Sequence, residues 1–304
     1  MIKELMFKEK AVNIYLSKNG YYLVVFYSLK IDFYNYHTNE LIFSLKLKYA
    51  NIINFSPNYG YCTITYEKGK ICLIDMISCE IVYKTNSYDA ESCTAFIDNN
   101  NFIYYKYKLD SNECEGINSS IIIVNIIDKT QKNLFVLNDI LIYKVQFNNP
   151  IVTFLGCRLK DEEKYPNDLI LCHYNVFLQD KYKIYMINDI VEAERNSAFN
   201  YETNQCAVEV FYFGEDEKSL INIYNQDSTL KKRIEIDSYV KDFSWINNGE
   251  YFLVNKINGV EIFDSNTFES IENLLGLSLC CNYEYDSKYF ACLFVDGCIL
   301  YTIE

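Results

Sequence analysis

Ser56-Pro57-Asn58-Tyr59-Gly60-Tyr61-Cys62-Thr63-Ile64-Thr65-Tyr66-Glu67-Lys68-Gly69-Lys70-Ile71-Cys72-Leu73-Ile74-Asp75 reads as a tight turn, an apolar strand, a short turn, and a second apolar strand ending in an apolar-polar pair. Asn and Gly mark the first turn because they tolerate the positive φ of a hairpin connection. From Gly60 to Ile74 is 14 residues. The same interval separates Gly20 from Tyr34, Gly249 from Phe263 and Ser287 from Tyr301. Three further units start at Asn99-Asn100, Asn148-Asn149 and Thr203-Asn204 and reach Val124-Asn125, Tyr174-Asn175 and Tyr224-Asn225. Their intervals are longer: 24 from Asn100, 25 from Asn149 and 20 from Asn204. Four units thus agree to the residue, and three carry one insertion at the same place.

A turn and another strand follow each pair, as in Glu40-Leu41-Ile42-Phe43-Ser44-Leu45 and Arg233-Ile234-Glu235-Ile236. Four strands (a to d) in about 40 residues is the period of a propeller blade. The reading is an all-β chain: a seven-bladed β-propeller with four antiparallel strands per blade. One domain spans residues 1–304, with blades at about 11–49, 50–88, 89–138, 139–189, 190–237, 238–276 and 277–304. The last unit stops after its third strand, at Leu300-Tyr301-Thr302-Ile303-Glu304. Ile2-Lys3-Glu4-Leu5-Met6-Phe7, within residues 1–8, alternates like a strand and is expected to supply the missing outer one, because an open edge invites mispairing.

Two stretches resemble the WD40 family. Asp32-Phe33-Tyr34-Asn35-Tyr36-His37-Thr38-Asn39-Glu40-Leu41 is similar to that family's strand ending in Trp-Asp with its following turn, and Ser56-Pro57-Asn58-Tyr59-Gly60 to its Ser-Pro-Asp-Gly hairpin. No blade carries Gly-His or a literal Trp-Asp, so the family's Asp-His-Ser-Trp hydrogen-bond network is absent. The resemblance implies a WD40-like propeller with degenerate repeats, and with it a scaffold for protein binding.

Composition agrees with strands: 50% of residues are hydrophobic and 16% aromatic, with 29 Tyr and 20 Phe. Packing within blades explains the Tyr-rich strands better than carbohydrate stacking. The net charge of −13, with no basic block, argues against nucleic acid or anionic membrane and favours basic partners. No apolar stretch approaches the ~20 residues of a membrane span, and residues 1–8 lack a signal-peptide core, so a cytoplasmic protein is expected. None of the 12 cysteines forms Cys-x-x-Cys. Most, such as Cys62, Cys72, Cys172, Cys206, Cys292 and Cys298, sit inside apolar strands as small reduced core residues. The adjacent Cys280 and Cys281 should face opposite sides of a strand.

The two histidines, His37 and His173, fall in different blades and have no metal-ligand spacing around them. Nucleophile elbow, Walker loop, dinucleotide fingerprint and EF-hand motifs are all missing. No catalytic residue, metal ligand or cofactor is assigned. The asymmetry of the ring lies in the b–c insertions of blades three to five. They carry Asp110, Glu113 and Glu115; Asp161, Glu162, Glu163 and Tyr165; and Glu215, Asp216 and Glu217. Equivalent loops of consecutive blades lie side by side, so an acidic docking rim for a protein or peptide is expected, with Tyr165 as an aromatic anchor. The function expected is therefore a non-enzymatic, acidic, protein- or peptide-binding scaffold. The alternative is an enzyme or small-ligand-binding propeller with its site at the central channel, which would need clustered buried carboxylates there.

Overall fold

The computed structural model describes residues 2–5, 10–17, 19–87, 94–109, 117–138, 140–148, 151–158, 168–175, 182–187, 193–210, 219–225, 227, 229–283, 287–295 and 297–302. Every regular element among them is a strand, and the strands form seven four-stranded antiparallel sheets. In chain order, β1 (Ile2–Leu5) precedes the first full sheet, made of β2 (Asn13–Leu16), β3 (Tyr22–Phe26), β4 (Ile31–Asn35) and β5 (Leu41–Leu45). The second contains β6 (Ile52–Phe55), β7 (Tyr61–Tyr66), β8 (Lys70–Asp75) and β9 (Glu80–Asn86). The third contains β10 (Thr94–Phe96), β11 (Asn101–Leu109), β12 (Ile117–Asn125) and β13 (Gln131–Asn138). The fourth contains β14 (Ile140–Asn148), β15 (Ile151–Arg158), β16 (Asp168–Asn175) and β17 (Tyr182–Ile187). The fifth contains β18 (Ala193–Asn200), β19 (Gln205–Val210), β20 (Ser219–Tyr224) and β21 (Leu230–Ile236). The sixth contains β22 (Val240–Ile246), β23 (Tyr251–Lys256), β24 (Gly259–Asp264) and β25 (Ser270–Leu275). The seventh contains β26 (Ser278–Tyr283), β27 (Tyr289–Phe294) and β28 (Gly297–Thr302), and its fourth strand is β1. The N-terminal segment pairs antiparallel with β28, from Ile2 opposite Tyr301 to Leu5 opposite Cys298.

The chain forms two compact units, Met1–Lys48 with Val191–Glu304, and Tyr49–Ile190. In the first, sheets pack face to face, and this explains why strands b and c read as continuous apolar runs. Successive side chains of a strand point to opposite faces. On β23, Phe252 and Val254 join Ala207, Ile221 and Ile223 of the fifth sheet, while Leu253 joins Phe290 and Cys292 of the seventh. Leu23 and Val25 of β3 meet Ala291 and Leu293 of β27 in the same way. With both faces covered there is no solvated side to alternate with. Each fully buried Phe, Leu or Ile contributes roughly 1.5–3 kcal/mol. Outer strands have water on one side, and β5 and β25 are mostly exposed.

In the second unit, Ile71 and Leu73 of β8 pack on Phe102, Tyr104, Ile122 and Val124 of the third sheet. Thr94 on β10 links the second and third sheets, receiving the Asn54 amide at 3.1 Å and lying 2.6 Å from the Thr63 hydroxyl.

Four of the apolar-polar pairs prove to be turn caps. Asn35, Asp75, Asn125 and Asp264 each end a third strand, and one side-chain oxygen accepts backbone N–H groups two and three residues on. Four residues after each cap the backbone turns left-handed, at Asn39, Cys79, Lys129 and Phe268 (φ 56–59°). The a–b turns are equally regular: Ser17 with Asn19, and Ser56 with Asn58, make the same side-chain hydrogen bond and each serine hydroxyl receives the N–H five residues on.

Candidate binding surface

The b–c insertions divide into two kinds. In the third sheet β11 and β12 are nine residues each and pair out to Leu109 opposite Ile117. In the fourth, β15 and β16 are eight each and pair out to Arg158 opposite Asp168. In the fifth, pairing stops at Val210 opposite Leu220. Much of the extra sequence of the third and fourth sheets is therefore lengthened hairpin. The acidic residues and the aromatic anchor expected to bind a partner, Asp110, Glu113, Glu115, Asp161, Glu162, Glu163, Tyr165, Glu215, Asp216 and Glu217, lie outside the described residues.

The corresponding ends of the sixth and seventh sheets carry exposed apolar side chains among their described residues. Tyr239 precedes β22, Ile257 sits in the b–c turn of the sixth sheet, Leu277 in the connection between the sheets, and Val295 in the b–c turn of the seventh. Backbone hydrogen bonds set them side by side: Ile257 N–H to Tyr239 O at 3.0 Å, Ser278 N–H to Ile257 O at 3.1 Å, and Val295 N–H to Leu277 O at 3.1 Å. All four are exposed, between 43% and 56%, and Leu275 at the end of β25 reaches 78%. Single exposed apolar residues are ordinary, but a contiguous run marks an interaction site.

The polar groups beneath this run are already engaged. Ser278 Oγ donates to Asn255 at 2.7 Å, the Lys241 ammonium donates to Ser278 O at 2.5 Å, and Lys256 pairs with Glu261 at 2.6 Å. They hold the connection from the sixth sheet to the seventh, and Tyr239, Ile257, Leu277 and Val295 stay exposed beside Asn258. Gly276 (φ +152°) permits the crossing, since a Cβ there would lie 2.8 Å from the Phe294 ring. The sequence carried a signal for this surface in Leu274-Leu275-Gly276-Leu277-Ser278-Leu279, an apolar run through a connection where turn residues are ordinarily polar.

His37 is exposed in the turn capped by Asn35, which accepts its N–H at 2.9 Å. His173 lies on β16 opposite Thr153 and Lys183, so the two histidines stand in different sheets. Among the described residues no three His, Cys, Asp or Glu side chains come together to hold a metal ion. Cys280 and Cys281 do face opposite sides of β26, and both sides are packed: Cys281 lies in the cluster with Leu253 and Phe290, and Cys280 against the cluster with Ile14 and Leu293.

No family model matches the chain, and no curated protein matches it in sequence. Among solved structures it is similar to the β-propeller domain of Cps50 (Swd1) from Myceliophteria thermophila, with a TM-score of 0.69 at 9% identity over 100% of this chain and 99% of that one. At that identity the likeness establishes the fold, a β-propeller, and nothing finer.

Proposed function

We propose that this β-propeller is a non-enzymatic scaffold that captures a segment of another protein on the face where the b–c connections emerge. The observation that carries this reading is the exposed run Tyr239, Ile257, Leu277 and Val295. Seven four-stranded sheets and a whole-chain likeness to a propeller domain support a single WD40-like ring of seven blades, with β1 as the outer strand of the last. Glu215, Asp216 and Glu217 stand between β19 and β20, the sequence counterpart of the β23–β24 turn that carries Ile257. The third- and fourth-sheet insertions carry Asp110, Glu113, Glu115, Asp161, Glu162 and Glu163, with Tyr165 as an aromatic anchor, and are read as acidic docking loops of the same kind. The segment that fits is aliphatic with flanking Lys or Arg. Apolar contacts hold it, and the acidic loops speed its arrival.

Selection of a displayed random peptide library on the full chain tests this. Enriched peptides should combine aliphatic and basic residues. Joint Ile257→Asp and Leu277→Asp substitution should weaken the best of them at least about tenfold, as loss of a central hot spot does. Joint Asp161→Lys, Glu162→Lys and Glu163→Lys substitution should mainly slow association, with an effect that fades at high salt. Enrichment without basic residues, or binding indifferent to the Ile257 and Leu277 changes, would sink the reading.

A further inference from the structure

Two thiols in the seventh sheet are placed unlike the other described cysteines. β26 and β27 set Cys281 directly opposite Cys292, and their sulfur atoms lie 3.0 Å apart. Directly opposed strand residues have the Cα spacing of about 4.5–5.5 Å that a disulfide spans. Cys62 and Cys72, also buried on adjacent strands, are offset: Cys62 faces Ile74 and Cys72 faces Ile64. Such diagonal neighbours stand about 7–8 Å apart, beyond bridging reach. Cys280 and Cys298 each face Leu293 on the other side of the sheet, with a strand between them.

We propose that Cys281 and Cys292 are a peroxide-responsive pair that closes to a reversible disulfide within the seventh sheet. The inference is independent of the docking face. Cys292 is fully buried, whereas Cys281 keeps 8% of its surface open, so Cys281 is the sulfur that a small oxidant reaches first. So little exposure admits only a small oxidant such as hydrogen peroxide and excludes a bulky disulfide such as oxidised glutathione. The Cys281 thiolate attacks one peroxide oxygen, the O–O bond breaks, and the departing hydroxide takes the thiol proton as water, leaving a sulfenic acid. The Cys292 sulfur then attacks the Cys281 sulfur, the S–O bond breaks, and the hydroxyl leaves with the Cys292 proton as a second water. Two thiols are oxidised and one peroxide is reduced to two waters.

The neighbouring thiols lack a partner to close on. Cys280 and Cys298 both face Leu293 rather than a cysteine, and burial raises both thiols, Cys280 to about 12. Closure would tie β26 to β27 covalently in the sheet whose outer strand is β1.

The test uses the full chain, reduced, freed of reductant and titrated with hydrogen peroxide. Remaining thiols are then alkylated in denaturant, and peptides are mapped by mass without reduction. The expected result is loss of two hydrogens, a cross-linked pair of peptides carrying Cys281 and Cys292, and reversal by dithiothreitol. Cys292→Ala should leave a sulfenic acid at position 281 that dimedone traps, while Cys280→Ala and Cys298→Ala should leave the cross-link intact. The same titration in urea should lose the preference for this pair. A peroxide series that oxidises other thiols without this cross-link, or an equal yield in urea, would overturn the proposal, and the wild-type mapping decides it even where a variant misfolds.

Discussion

Trp245 lies on β22 with none of its surface exposed, its ring centroid 4.9 Å from that of Phe252. Its indole N–H has no hydrogen-bond partner among the described residues. Two effects oppose here. Burying the ring stabilises the fifth and sixth sheets against each other, while an unpaired buried donor costs about 1–3 kcal/mol. Trp245→Phe removes the donor along with part of the ring, and the two changes should cancel to within about 1 kcal/mol. Trp245→Ala keeps no compensating ring and should cost about 3–5 kcal/mol. Urea unfolding followed by circular dichroism separates these cases, since the sole tryptophan is absent from both variants. A Phe variant that lost as much as the Ala variant would show that its ring recovers none of the packing, and the expected cancellation would fail. The same residue shows a limit of sequence reading. Trp245 stands out in composition, yet whether its nitrogen finds a partner depends on a neighbouring sheet. Leu277, exposed, and Leu253, buried, likewise cannot be told apart without knowing what covers them.

The third-to-fourth-strand turn is the element most legible in the sequence, because its chemistry is local. An Asn or Asp caps it, and the residue four places on turns left-handed, whatever packs around it. The insertions were legible in position but not in form. Strand length in β11 and β12 depends on cross-strand pairing, which a single strand's pattern does not encode. Carboxylates make this element sensitive to acid. The Thr267 and Asn266 amides hold the Asp264 carboxyl below its ordinary range, and the Thr130 and Thr229 hydroxyls and amides do the same for Asp128 and Asp227. A value depressed in the folded state gives stability that is present above the ordinary carboxylate pKa of about 4 and is lost as pH falls through the folded value. Asn caps the equivalent turns at positions 35 and 125, so Asn should replace Asp264 without disturbing the turn. A variant joining Asp264→Asn, Asp128→Asn and Asp227→Asn should start from a slightly lower thermal midpoint at neutral pH, since the charge that stabilises the turns is gone, and lose less of it below pH about 4. Parallel acid profiles for the two proteins would show that these turns do not contribute to acid unfolding.

At the scale of the whole molecule, the repeat implied seven units, six complete and one lacking an outer strand; the described strands form seven four-stranded sheets, and β1 pairs with β28 in the last. The edge of β28 would otherwise present unpaired N–H and C=O groups, from Cys298 to Tyr301, to solvent. Such an edge pairs readily with other chains. The rest of the seventh sheet does not depend on β1, since β26, β27 and β28 form a meander whose Cys292, Leu293 and Leu300 are buried against neighbouring sheets. Deletion of residues 1–8 should therefore leave a folded chain with an open edge rather than an unfolded one. Its urea midpoint should fall, its unfolding should become less steep as the seventh sheet opens ahead of the others, and its light scattering should rise with concentration. A synthetic peptide of residues 1–8, added in excess, should suppress the scattering by occupying the same edge. If the truncated chain kept the wild-type midpoint, slope and solubility, β1 would be an ornament on the sheet and closure of the last blade would rest on β26 to β28 alone.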